Sequence, residues 1–77
     1  MSGTIDVVKE KIKEAAFKKV NDNDELFQSG ILSSILVVDL ATSLEEEFNI
    51  SIPFTEISLE NFSTAEKISA YIDRKKG

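Results

Sequence analysis

Apolar residues recur at three- and four-residue spacing in three stretches of this chain, and each stretch predicts a helix. In the first, roughly Thr4 to Lys19, the stripe is Ile5, Val8, Ile12 and Ala15, with Ala16 alongside. Thr4 is placed to cap its amino end. Asp6 falls in the first turn and Lys18 and Lys19 in the last, where the helix dipole favours their charges. In the second, Ser34 to Phe48, the stripe is Val37, Leu40, Ala41, Leu44 and Phe48, widened by Ile35 and Val38. At 1.5 Å per residue this helix is about 22 Å long, with Ser33 as its N-cap. The third opens at Ser63-Thr64-Ala65-Glu66, which has capping-box spacing, with Phe62 before it as a hydrophobic staple. Ala65, Ile68 and Ile72 share one face with Tyr71 at its side, Lys75 and Lys76 end the helix, and Gly77 closes it.

Between the helices the pattern breaks. Residues 21 to 34 read as a long structured loop: Asn21-Asp22-Asn23-Asp24 is turn chemistry, Leu26, Phe27, Ile31 and Leu32 pin the loop to the core, and Gly30 supplies a positive φ. Ile50, Ile52 and Phe54 alternate with polar residues as a strand does. A lone strand has no partner here, so an extended linker that tucks Ile50 and Ile52 inward is expected. A short helical turn over Thr55 to Glu60 carries Ile57 and Leu59. The expected architecture is all-α, one domain over residues 1–77.

Composition narrows the chemistry. A chain of 77 residues makes one small domain, and it contains neither cysteine nor histidine. Disulfides, thiolate metal sites and serine–histidine catalysis are excluded, so no catalytic residue and no metal ligand is assigned. Asp22-Asn23-Asp24 opens like a calcium loop, but the sixth position is Phe27 instead of glycine and the twelfth is Ser33 instead of glutamate. No apolar run spans a membrane and no signal-peptide core opens the chain, which predicts a soluble protein of cytoplasmic type, with no membrane partner.

Charge is segregated. Residues 1–20 carry five lysines and three acids, residues 21–66 ten acids and no lysine or arginine, and the last eleven residues four bases and one acid. The acidic middle disfavours nucleic acid as a partner and favours basic protein surfaces. Glu45-Glu46-Glu47 sits in the last turn of the second helix against its dipole, with no lysine nearby in sequence. Asp39 lies about two turns earlier and is expected to share a side with Glu45 and Glu46 as a partner-binding face.

The adjacent serines raise a separate question. A hydroxyl alone is a weak nucleophile, and the nearest lysines in sequence are Lys19 and Lys67. A serine modified by another enzyme needs only exposure and a rigid place, and the start of a helix beside an acidic surface offers both.

Ser34-Ile35, Val38-Asp39-Leu40, Leu44-Glu45-Glu46-Glu47-Phe48 and Ile52-Pro53 together closely resemble the second helix of acyl carrier proteins, which opens on Asp-Ser-Leu and closes on Leu-Glu-Glu-Glu-Phe and Ile-Pro. The likeness extends over most of the chain. It implies a four-helix bundle of the acyl-carrier type with a long loop between the first two helices and a short third helix. It also implies a serine that receives 4′-phosphopantetheine from coenzyme A and carries acyl groups as thioesters.

Carried over by position, the resemblance makes Ser34 the covalent attachment site, with Ser33 a helix cap and lesser candidate. Ile35, Asp39, Glu45 and Glu46 then face partners: a phosphopantetheinyl transferase, and acyl-loading and acyl-consuming enzymes with basic docking patches. The candidate acyl-cavity lining comprises Val37, Leu40, Ala41 and Phe48 from the second helix, Ile52, Phe54 and Ile57 after it, and Ala65 and Ile68 from the last. The implied protein is a non-enzymatic monomer in fatty-acid or specialised, polyketide-like biosynthesis.

Two departures stand out. Ser33 replaces the family's aspartate, and Leu36 replaces an acid common in fatty-acid carriers. Gly30-Ile31-Leu32-Ser33-Ser34 has the longer spacing of the Gly-Leu-Leu-Asp-Ser seen in D-alanyl and specialised discrete carriers. The alternatives are therefore an aminoacyl or D-alanyl-type carrier, and an acidic helical interaction module that has lost the arm.

Overall fold

Helical spacing becomes four helices and one 3-10 turn in the computed structural model, which describes residues 3–76. The helices are α1 (Thr4–Ala16), α2 (Ser34–Phe48), α3 (Leu59–Phe62) and α4 (Ala65–Lys76), with the 3-10 turn at Phe54–Glu56. α1 packs on α2 and α4, and α3 packs on α4. Val8 and Ile12 of α1, Leu40 and Leu44 of α2, and Ile68 and Ile72 of α4 are fully buried where these helices meet, with Phe62 among them. The arrangement is the all-α, acyl-carrier-type bundle the sequence predicts. Among the described residues there is no strand. None of the described helices is long and apolar enough to cross a membrane.

α1 ends earlier than its charge pattern suggests. Phe17 takes a left-handed conformation (φ 57°) and its N–H closes on the Lys13 carbonyl at 2.8 Å, so Lys18 and Lys19 lie beyond the helix. The chain must leave the helix axis there because Val20, three residues on, is buried in the core. At the other end the cap is Gly3, not Thr4. The Asp6 carboxylate accepts the Gly3 N–H at 3.2 Å, and the Thr4 hydroxyl instead donates to Asp73 on α4 at 2.7 Å.

The loop from Asn21 to Ser33 is anchored as expected. Leu26, Ile31 and Leu32 are buried, the Leu26 N–H donates to the Ser63 carbonyl at 2.8 Å, and Gly30 has φ 81°. α2 then runs over its expected span. Its stripe is Val37, Leu40, Ala41 and Leu44, with Phe48 half-buried. Ile35 and Val38 do not widen it: they are 76% and 39% exposed.

Ile52 is buried and Ile50 half-buried, as the extended linker requires. The single short helix expected over Thr55 to Glu60 is split. The 3-10 turn comes first, and α3 starts only at Leu59, with the Ser58 carbonyl accepting the Phe62 N–H at 2.8 Å. The last cap also moves. Thr64, not Ser63, holds the end of α4, its Oγ1 accepting the Lys67 N–H at 3.1 Å. Ser63 continues the α3 turn (φ −73°, ψ −27°) and cannot take the extended conformation an N-cap needs. Phe62 consequently serves as core, its ring 5.6 Å from that of Tyr71, rather than as a staple. Gly77 lies outside the described residues.

Candidate functional site

The two serines at the head of α2 are in different states. Ser33 takes extended backbone angles, and its Oγ accepts the Leu36 N–H at 3.3 Å. This is the cap bond that satisfies one of the free N–H groups of a helix start. Ser34 is the first helical residue and is exposed. No acidic residue lies in the first turn. The first main-chain bond of the helix runs from Val37 N–H to the Ser33 carbonyl at 2.9 Å, so the N–H groups of Ser34 and Ile35 precede the ladder and face outward with the positive end of the helix dipole.

Beside Ser34 lies a groove of about 290 Å³ between the start of α2 and the segment that follows Pro53. Ser34, Val37 and Val38 line it from α2, Phe54, Ile57, Ser58 and Leu59 from the segment after Pro53, and Phe27 from the loop before α2. Val37, Phe54 and Ile57 were expected around a cavity and meet here. Leu40, Ala41, Ile52, Ala65 and Ile68 are buried in the closed core. Phe48 stands at the far end of α2, its ring under the Lys76 ammonium at 5.2 Å. Sequence reasoning missed Phe27, Val38, Ser58 and Leu59. Val38 had a signal, since it lies one turn after Ser34. The other three reach the groove only through the path of the chain. A larger depression, about 590 Å³, is lined by Asp6, Lys9, Glu10, Lys13, Glu14, Lys19 and Val20. It lies on the mixed-charge face of α1, and none of the residues around Ser34 contributes to it.

The acidic run is divided by the fold. The Glu45 carboxylate turns inward and accepts the Ile52 N–H at 2.7 Å. Glu47 pairs with Lys11 of α1 at 3.4 Å, and this contact holds the lysine pKa above its usual value. Tertiary packing therefore supplies a cation that sequence proximity does not. Asp39 and Glu46, seven residues apart and so on one side of the helix, are exposed, as is Ile35.

Behind the groove, the Tyr71 hydroxyl donates to Glu56, and the Lys75 ammonium lies 3.0 Å from the same carboxylate oxygen. These two contacts, the tyrosine first, hold the Glu56 carboxyl below its usual range. Burial, then Glu56, push the Tyr71 phenol up. The Arg74 guanidinium lies 5.9 Å from the Tyr71 ring centre and donates to Asn61 Oδ1 at 3.4 Å.

A 4′-phosphopantetheine arm requires an accessible hydroxyl, a place for a phosphodiester and a surface for a slender chain. Ser34, exposed at the start of α2, is a residue that could offer the hydroxyl. The start of a helix without an acid in its first turn suits the phosphodiester charge. The groove supplies a largely apolar surface with the Ser58 hydroxyl in its wall. The residues present fit the group.

Comparison with known proteins agrees with this geometry. The family described as phosphopantetheine attachment site matches residues 5–72. The chain is 42% identical over 52 residues to the D-alanyl carrier protein of Lactococcus lactis subsp. lactis (strain IL1403), covering 68% of this chain and 66% of that protein. It is 37% identical over 59 residues to the D-alanyl carrier protein of Streptococcus suis (strain 05ZYH33), covering 74% and 75%. A third relative, the D-alanyl carrier protein of Lactococcus lactis subsp. cremoris (strain MG1363), is 41% identical over 51 residues, 66% of this chain and 65% of that protein. The chain thus spans just under two thirds of the length of the two Lactococcus proteins. A hydroxyl offered at a helix start, a fitting groove and a match over most of the chain lead to one conclusion: the protein belongs to the phosphopantetheine-binding carrier family, with 4′-phosphopantetheine as its prosthetic group.

Proposed function

We propose that Ser34 carries the arm and that the chain is a discrete carrier of the D-alanyl type, holding an aminoacyl group for partner enzymes. The observation that carries this reading is the division between the two serines: both are exposed, but the Ser33 oxygen is engaged as the cap of α2, and Ser34 follows as the first helical residue. When attached, the arm supplies a thiol on which cargo is held as a thioester. The rest falls to the chain itself. Ser33 holds the first turn in register, Ser34 offers its oxygen at a fixed place, and the uncharged first turn accepts the phosphodiester without repulsion.

With no histidine in the chain, the base that activates Ser34 belongs to the phosphopantetheinyl transferase. Asp39 and Glu46 steer basic partner surfaces toward the serine, and Ile35 offers them an apolar contact. Glu45 acts on the linker instead. The names of the relatives favour an aminoacyl cargo, and a fatty-acid cargo draws no support from them.

The test is intact mass after incubation with coenzyme A and a phosphopantetheinyl transferase. The expected result is a gain of one phosphopantetheinyl group, lost in Ser34→Ala and kept in Ser33→Ala. The modified protein should then accept D-alanine from an adenylating ligase in preference to fatty acids. No mass gain with several transferases would favour an interaction module that has lost its arm.

A further inference from the structure

The groove beside Ser34 has the start of α2 on one side and the segment between Pro53 and α3 on the other. α2 packs on α1, and α3, which ends that segment, packs on α4. The side opposite Ser34 is the 3-10 turn Phe54–Glu56 and the residues that follow it. Its apolar side chains grip the body weakly: Phe54 is 76% exposed, Leu59 62%, and Ile57 half-buried. Phe54 and Ile57 both line the groove, whereas Glu56 does not and turns toward α4. There it is bound by Tyr71 and Lys75 of α4, while its own carbonyl accepts from Asn61 Nδ2 at 3.0 Å. The groove wall is therefore held from behind by a polar clamp.

We infer that Glu56, clamped by Tyr71 and Lys75, is a positioning residue that sets the opening of the groove beside Ser34 and thereby how far a group tethered there is sheltered from water. The tethering rests on the attachment proposed above, but the clamp itself does not. With the clamp closed, Phe54 and Ile57 stand at a fixed distance from Val37 and Val38. With it released, the turn is free to swing on the extended linker before it, and the groove widens.

The test has two readouts. In the unmodified protein, amide exchange is measured at Glu56 and Ile57, whose N–H groups bond to the Pro53 and Phe54 carbonyls at 2.9 and 3.0 Å. Tyr71→Phe keeps the ring against Phe62 and removes only the hydroxyl. Lys75→Met, at an exposed position, removes the ammonium. Each is expected to speed exchange at these two amides roughly threefold to tenfold, as losing one hydrogen bond of ordinary strength does, and to leave the Val37 amide of α2 unchanged. In the second readout a solvatochromic dye is attached to the arm's thiol, and its emission should shift to the red in both variants.

Unchanged exchange at Glu56 and Ile57, or an equal rise throughout α1 and α2, would overturn the inference. A rise in exchange with no change in dye emission would also overturn it, because the clamp would then hold the turn without governing shelter. Failure of the dye to attach to the unsubstituted protein would count against Ser34 as the tether. The groove would then be probed with free 4′-phosphopantetheine, whose weaker protection of the Ile57 amide in the variants is expected and whose equal protection would overturn the inference.

Discussion

The carboxylate of Glu45 accepts the backbone N–H of Ile52 at 2.7 Å, spanning seven residues to tie the end of α2 to the linker beyond it. The bond is part-buried, and it converts one member of an acidic run into a structural acceptor. The same linker leads into the groove wall through Pro53, so a feature that reads as surface charge helps to place the wall facing Ser34. Glu45→Ala leaves the Ile52 N–H without its partner and is expected to cost about 1–3 kcal/mol in urea unfolding. Glu45→Gln, which keeps an acceptor, is expected to cost less than half of that.

The serines should separate stability from modification. Ser33→Ala removes the cap bond to Leu36 and is expected to cost about 1 kcal/mol, with the mass gain on modification intact. Ser34→Ala, at an exposed first helical position, is expected to leave stability within about 0.5 kcal/mol while abolishing the gain. A Ser33→Ala protein that cannot be modified although folded would move the attachment to the other hydroxyl.

Phe17 carries a large side chain at φ 57° with 91% exposure, so backbone strain is not repaid by burial. Phe17→Gly places the residue best suited to a left-handed helix end there and is expected to raise stability by about 0.5–1 kcal/mol. A loss of stability would show that the ring makes a contact the static structure lacks. Gly30 has φ 81° with open space around the position of a Cβ, so Gly30→Ala should cost about 1 kcal/mol through backbone conformation alone.

Acid stability should depend on Glu56. Its folded pKa is lowered by Tyr71 and then Lys75, so its contribution is present above the unfolded carboxylate value, about 4.3, and disappears as pH falls through the lower folded value. Glu56→Gln should flatten the fall in thermal midpoint on that side relative to the unsubstituted protein. Tyr71 has the opposite sign. Its raised pKa gives stability that is present below about 10 and is lost as pH rises through the folded value. Tyr71→Phe should remove that alkaline loss.

Periodicity and capping chemistry by themselves determined the helical class, the span of α2, the Ser33 cap, the burial of Leu26, Ile31 and Leu32, and the need for positive φ at Gly30. Each is a local matter: side chains three and four apart share a face, and a hydroxyl before a helix meets its free N–H groups. Only the tertiary structure decided that α1 stops at Phe17 and that Thr64 takes the cap expected of Ser63. It alone divided Glu45, Glu46 and Glu47 among a backbone amide, solvent and Lys11. These outcomes depend on groups distant in sequence: Val20 draws the chain toward the core, the α3 turn holds Ser63 helical, and α1 brings Lys11 to α2. The groove was half legible: Val37, Phe54 and Ile57 were expected at a cavity, and the register of α2 carried an unused signal for Val38. Phe27, Ser58 and Leu59 arrive there by the path of the loop and of the segment leading into α3, which no spacing along the chain records.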